Sequence, residues 1–211
     1  MSDSPNKSNM NIEVIAVAYK RFGELKTFVQ SWLNQTSDQW KLKIIHDGLN
    51  EEFLQIMQKY QLEAPEKISF YCTESRFNDY GHSLRDLGLK EATENYVLLT
   101  NADNYFIPKA IEFLIEEIEK KDPDVVLFDM VHSHNEPGGR DLPPYSFFQT
   151  SYKRRCIDVS SAIVRTSLAK KAGFKHKSFD ADANYFEDIK KLKPFFNLRV
   201  TKLPQILFVH N

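Results

Sequence analysis

Residues 96–104 read YVLLTNADN, an apolar run that stops in short polar residues. Asn101, Asp103 and Asn104 are residue types that hold a metal ion or a phosphate when they cap a buried strand, yet only Asp103 carries charge. An Asx-rich turn that merely ends the strand is the alternative. Arg85 lies one helical turn beyond Gly81, where its guanidinium either reaches a diphosphate or faces solvent. Farther on, DADANYFEDIKKLK (180–193) offers Asp182 and Asp188. A helix beginning near Asp182 gives about three turns before Pro194 and puts Tyr185, Phe186, Ile189 and Leu192 on one apolar face. Asp182 then stands at the helix N-terminus, where a carboxylate tends to stay ionised, as a general base must. Asp188 lies mid-helix. An acidic first turn that serves only the helix dipole is the plain reading of the same residues.

The elements that position these groups alternate. IEVIAVAY (12–19), LKIIHDG (42–48), KISFYC (67–72), YVLL (96–99) and DVVLFDMV (124–131) read as strands. Between them, apolar residues at helical spacing mark helices through Leu25–Leu33, Phe53–Tyr60, Gly81–Ala92 and Ile111–Ile118. Strand–helix alternation predicts a mostly parallel sheet covered on both faces, with its ligand crevice at the carboxyl ends of the strands. Tyr19 to Arg21, Asp47 and residues 101–104 all fall on that edge. Residues 132–155, rich in proline and aromatics, read as a long loop, functional or disordered. CIDVSSAIVR (156–165) reads as a strand, Ser167–Ala172 as a short helix, and LRVTKLPQILFVHN (198–211) as a strand pair ending in His210. The polar opening, residues 1–10, reads as a disordered arm, and residues 11–211 as a single domain.

With 211 residues, 42% hydrophobic and 13% aromatic, the chain is long and apolar enough for a buried core. A net charge of −1 argues against a nucleic-acid partner. No run approaches the roughly 20 apolar residues of a transmembrane helix, and no signal peptide is visible. Cys72 and Cys156 lack metal spacing and read as free thiols of a reducing cytosol.

VIAVAYKR, a helix ending SWLNQT, WKLKIIHDG, and GHSLRDLGLKEATENYVLLTNADNYFIP together resemble family 2 glycosyltransferases of the GT-A fold. The resemblance covers residues 12–130 well and the rest more loosely. It implies an α/β, Rossmann-like, mostly parallel central sheet flanked by helices, with a nucleotide-sugar half at about 11–131 and an acceptor half at about 132–211. It departs from the family at two points: His46 precedes Asp47 where paired aspartates are usual, and Asn101 replaces the first aspartate of the D-x-D motif.

The resemblance implies donor contacts from Ala18, Tyr19, Arg21, Asp47, Arg85, Asn101, Ala102 and Asp103. Asp103 aligns with the metal-binding carboxylate, and His210 with a second ligand that some relatives supply. Either Mn²⁺ or Mg²⁺ is implied, with a mixed Asp/His/diphosphate shell suiting Mn²⁺. The catalytic base is Asp182 or Asp188. His82 is a weaker candidate for the phosphates. Asp158, His132 and His134 border the acceptor side, with packing as their expected role.

The implied reaction moves a sugar from a nucleotide diphosphate sugar, with UDP the expected nucleotide, to a hydroxyl of a carbohydrate or glycolipid, with inversion. The expected setting is polysaccharide biosynthesis in the cytoplasm, with peripheral membrane association an option. A non-catalytic nucleotide- or glycan-binding module is the alternative. A sugar-phosphate nucleotidyltransferase fits less well, because AVAYKRFGE has only one glycine.

Overall fold

The computed structural model describes residues 10–193 and 197–211. Residues 1–9 of the expected arm, and Pro194, lie outside the described residues. Met10 does not belong to a polar arm: it packs against the core, and its carbonyl accepts from Gln39 Nε2 at 3.0 Å.

Strands β1 (Ile12–Ala18), β2 (Trp40–His46), β3 (Ile68–Cys72) and β4 (Tyr96–Asn101) alternate with helices α1 (Phe22–Leu33), α2 (Glu51–Glu63) and α3 (His82–Glu91). Then follow β5 (Tyr105–Phe106), α4 (Ala110–Lys121), β6 (Val125–His132), β7 (Ser146–Phe148), β8 (Ala162–Arg165), α5 (Thr166–Ala172), α6 (Ala181–Leu192) and β9 (Val200–His210). The sheet runs β3-β2-β1-β4-β8-β6-β9-β5, with β7 on β6. β1, β2, β3, β4, β6 and β9 point one way, and β8, β7 and β5 run against them.

β1 is buried at every position because helices cover both faces of the sheet. Its one acid, Glu13, is tolerated because Lys43 Nζ lies 3.1 Å away and the Thr93 N–H donates to it at 2.7 Å. One apolar layer gathers Phe28 and Trp32 of α1, Phe53 of α2 and Leu114 of α4. The opposite layer gathers Leu84 of α3, Leu168 of α5, and Tyr185, Phe186 and Ile189 of α6.

Three expectations change. CIDVSSAIVR is strand only over 162–165, because Asp158 caps a 3-10 turn at Val159–Ser161, accepting from the Ser160 N–H at 2.8 Å. The expected C-terminal strand pair is one strand, β9, whose pairing with β6 shifts register between Leu127 and Asp129. The loop after β6 carries β7, which pairs with Met130–His132. β5 and β7 are too short for periodicity to announce them.

The parallel strands end together. Ala18 pairs with His46, Val17 with Asn101, and His132 with His210. One edge therefore carries the ends of β1, β2, β4, β6 and β9. A hollow lined by Glu13, Lys41, Lys67 and Thr93 sits at the amino ends, where open sheets do not place ligands.

Candidate active site

Two special turns build the floor of the crevice. Lys20 and Arg21 adopt left-handed backbone, φ 55° and 52°, at the β1–α1 junction. Such conformations cost of order 1–3 kcal/mol in non-glycine residues and cluster at functional sites. Here the bend brings Arg21 to Asp103: Nη1 donates to Oδ2 at 2.5 Å. The second turn enters α3 through Gly81 (φ 79°), where a Cβ would meet Val17 Cγ2 at 2.6 Å, so only glycine fits. That tight entry fixes where Arg85 emerges.

Asp103 is held from behind. Its carbonyl accepts from Asn211 Nδ2 at 2.5 Å, and the neighbouring Ala102 N–H donates to the Val17 carbonyl at 2.9 Å. Burial pushes the Asp103 carboxyl up, against the pull of Arg21 and then His210. Among the described residues, its Oδ1 is buried with no hydrogen-bond partner. Asn104 does not face the crevice. Its amide donates to Thr100 Oγ1 at 3.0 Å and Ser160 Oγ at 3.2 Å and accepts from the Asn211 N–H at 3.2 Å, tying the ends of β4, β9 and the 3-10 turn together.

Arg85 is not on a solvated helix face; it is 4% exposed. Its guanidinium donates to Asn101 Oδ1 and, at 2.9 Å, to the Tyr80 carbonyl. Burial lowers its pKa, and Asp182, Asp158, Asp79 and Asp103 pull it back up, in that order. This buried cation is the hub of an otherwise acidic crevice. The Asn101 oxygen is thereby engaged, leaving the amide nitrogen to donate to a ligand.

Asp182 lies in the first turn of α6, and its carboxylate accepts from the Val159 N–H at 3.2 Å. The helix end does not keep its pKa low. Burial, then the charge of Asp158, push the carboxyl up to about 6, with Arg85 opposing. Asp188 is not brought to this cluster: its oxygens sit 2.9 Å from His176 Nε2 and 2.8 Å from Lys191 Nζ, and Lys191 is the main cause of its lowered pKa.

Asp47 does not present a free carboxylate. It accepts from the Phe77 N–H at 2.7 Å and the Asn78 N–H at 3.0 Å, which holds the loop carrying Arg76. The Arg76 guanidinium lies 3.7 Å from the centroid of the Tyr19 ring. His46, the residue in place of a first carboxylate, is buried, with Nδ1 2.7 Å from the Gly48 carbonyl and its ring against Phe53. His82 stacks on Phe174 at 5.5 Å, so it serves packing at this position.

Sequence reasoning gave Asp158, His132 and His134 a packing role, and the structure brings them to the crevice. Asp158 Oδ2 lies 3.7 Å from His210 Nε2. His132, His134 and His210 each offer a nitrogen within 4.8 Å of the others. Burial, then His210 and His134, hold the His132 ring down at about 4. The signal in the sequence was His-x-His at the end of a strand; its partner is remote in the chain.

A family model described as Glycosyl transferase family 2 matches residues 13–181. The Bacillus subtilis (strain 168) protein named Uncharacterized glycosyltransferase YwdF is 27% identical over 203 residues, covering 92% of this chain and 72% of its own. The Processive diacylglycerol beta-glycosyltransferase of Mycoplasma genitalium is 29% identical over 124 residues, or 57% of this chain and 36% of that one. Among solved structures, S. aureus TarS 1-349 in complex with UDP-GlcNAc matches with TM-score 0.75 at 19% identity, covering 95% of this chain and 58% of that one. Mannosyltransferase PcManGT from Pyrobaculum calidifontis, in complex with GDP-Man and Mn²⁺, matches with TM-score 0.72 at 11% identity, covering 95% and 56%. At these identities the likeness shows a shared fold, the GT-A arrangement. The chain spans less than two thirds of either solved chain.

Proposed function

Because the chain belongs to glycosyl transferase family 2, we propose that it moves a sugar from a nucleotide diphosphate sugar, with UDP as the nucleotide, to a hydroxyl acceptor with inversion. One observation carries the reading. Asp103, with its Oδ1 bare among the described residues, and Asp182 lie at the carboxyl edge of the sheet, and the charges of both raise the pKa of the same buried Arg85. The UDP-GlcNAc complex of TarS, on the same fold, supports a nucleotide-sugar donor.

Asp182 accepts the proton of the acceptor hydroxyl, whose oxygen then attacks the anomeric carbon as the bond to the diphosphate breaks. A single displacement inverts that carbon. With a pKa near 6, Asp182 is mostly ionised at neutral pH yet basic enough to take a proton. Arg85 keeps the acidic crevice compatible with an anionic donor and orients Asn101 toward it. Tyr19, stacked with Arg76, forms the wall for the base, and Asp47 positions the loop that carries Arg76.

A divalent cation fits the donor end, because Asp103 Oδ1 and His210 Nδ1 are both buried without partners among the described residues. Bound there, it supplies a Lewis acid against the charge of the leaving diphosphate. Mn²⁺ suits such a mixed oxygen–nitrogen set better than Mg²⁺, and the Mn²⁺ complex of PcManGT supports it. Asp103→Asn is expected to leave thermal stability intact and to weaken Mn²⁺-dependent binding of UDP at least tenfold in calorimetry. Equal affinity in the variant, or with EDTA in place of Mn²⁺, removes the cation from the account.

The acceptor is a carbohydrate or glycolipid, in polysaccharide or glycolipid synthesis. The diacylglycerol glycosyltransferase among the relatives supports a lipid acceptor, and work at the cytoplasmic face of a membrane is the setting proposed with it. Among the described residues no helix is long and apolar enough to cross a membrane. A second reading, a non-catalytic nucleotide-binding module, is favoured by one contact: Arg21 already neutralises Asp103.

A further inference from the structure

We propose that His132, His134 and His210 form a three-nitrogen site for a zinc-class divalent cation, which shares only His210 with the mixed oxygen–nitrogen shell built on Asp103. The backbone sets the three rings side by side. His132 and His210 are register partners on the parallel strands β6 and β9. Ser133, between the two β6-side histidines, donates its N–H to the His210 carbonyl at 2.9 Å. His134 lies two residues on from His132, in the bend that follows β6. Ring centroids are 5.2 Å apart for His132 and His210, 5.4 Å for His132 and His134, and 5.8 Å for His134 and His210. One nitrogen from each ring lies within 4.8 Å of the others. A tetrahedral zinc shell needs ligand nitrogens about 3.3 Å apart, which small side-chain rotations supply.

Edge-to-face packing accounts for the ring angles but not for the nitrogens. A neutral imidazole has one N–H to donate and one lone pair to fill. His132 is 6% exposed, and among the described residues neither of its nitrogens has a partner. His210 Nδ1 is buried and equally bare, while its Nε2 faces the Asp158 carboxylate at 3.7 Å. A carboxylate behind one ring nitrogen fixes the tautomer and turns the other nitrogen's lone pair outward, as around many metal-bound histidines. His134 is exposed and gives the cation its way in. Three imidazoles and a fourth, open position suit Zn²⁺, and Mg²⁺ prefers an all-oxygen shell. The site does not depend on the donor-side cation. If both exist, the two cations compete for His210.

The test is Zn²⁺ titration of the full chain, made without a histidine tag and without nucleotide, by competition with a chromogenic chelator. One equivalent is expected to bind. Affinity should fall at least tenfold in His134→Ala, an exposed position that leaves folding intact, and again in His132→Gln. Asp103→Asn should change nothing. With Co²⁺ as probe, the intense visible absorption of four-coordinate cobalt should appear and be lost in His134→Ala. Absence of stoichiometric binding, affinity unchanged in His134→Ala, or equal loss in Asp103→Asn overturns the site.

Discussion

Asp182→Asn is expected to lower turnover about 10³-fold, in the middle of the range for removing a general base, while UDP affinity stays within about twofold. The amide keeps the shape and can still meet the Val159 backbone, but it cannot accept the hydroxyl proton. The wild type supplies the matching signature. Only ionised Asp182 is active, so kcat/KM should fall tenfold per pH unit as pH drops below about 6. The variant should show no such limb. Unfolding does not mimic this result. A carboxyl raised above its ordinary value makes the folded state take up a proton between the ordinary value and about 6, so stability from this group falls as pH rises through that window. Above it the ionised group is a burden that the amide removes, and the variant should melt no lower than wild type at pH 8. If Asp188→Asn abolishes turnover and Asp182→Asn does not, the base has been misassigned.

Arg85→Met should be the most destabilising change in the crevice. The methionine roughly fills the volume, but Asp182 and Asp158 lose their shared buried cation, and Asn101 Oδ1 and the Tyr80 carbonyl lose a donor. Removing one partner of a buried charge network typically costs about 3–5 kcal/mol, here a drop in Tm on the order of 10 °C. Arg85 also holds the Asp182 carboxyl down. Residual activity should therefore show its acidic limb moved to higher pH. Arg85→Lys should recover part of the Tm. A methionine variant with wild-type Tm and an unmoved limb would mean that Arg85 does not balance the acidic cluster.

The alternation of β1 to β4 with α1 to α3 was legible because β1 and β4 are buried on both faces, β2 largely so, and each helix on one. The mostly parallel sheet followed from that run, and the GT-A arrangement from the resemblance of residues 12–130 to family 2 glycosyltransferases. The order beyond β4 was not legible: β8 enters antiparallel between β4 and β6, and nothing local in AIVR fixes its neighbours. The end of β4 pointed to Asp103 because short polar residues broke an apolar run there, and the helix length before Pro194 pointed to Asp182 at the start of α6. What each side chain touches was hidden. Whether Arg85 faces the crevice or solvent stayed open because helical spacing does not say that Gly81 and Gly88 draw α3 onto β1, where a Cβ at 88 would collide with Ile15 Cγ2. The upward shift of the Asp182 pKa was not legible because the helix end is local, while burial and Asp158 act only through the fold.

If this crevice transfers sugar rather than merely holding nucleotide, free nucleotide must leave it as acceptor is glycosylated. The most direct measurement is release of free nucleotide from a panel of UDP- and GDP-sugars, with Mn²⁺ and hydroxyl acceptors, by the full chain. Release is expected from at least one UDP-sugar, matched mole for mole by glycosylated acceptor of inverted configuration. Tight nucleotide binding with no release from any donor, under any acceptor, would contradict it.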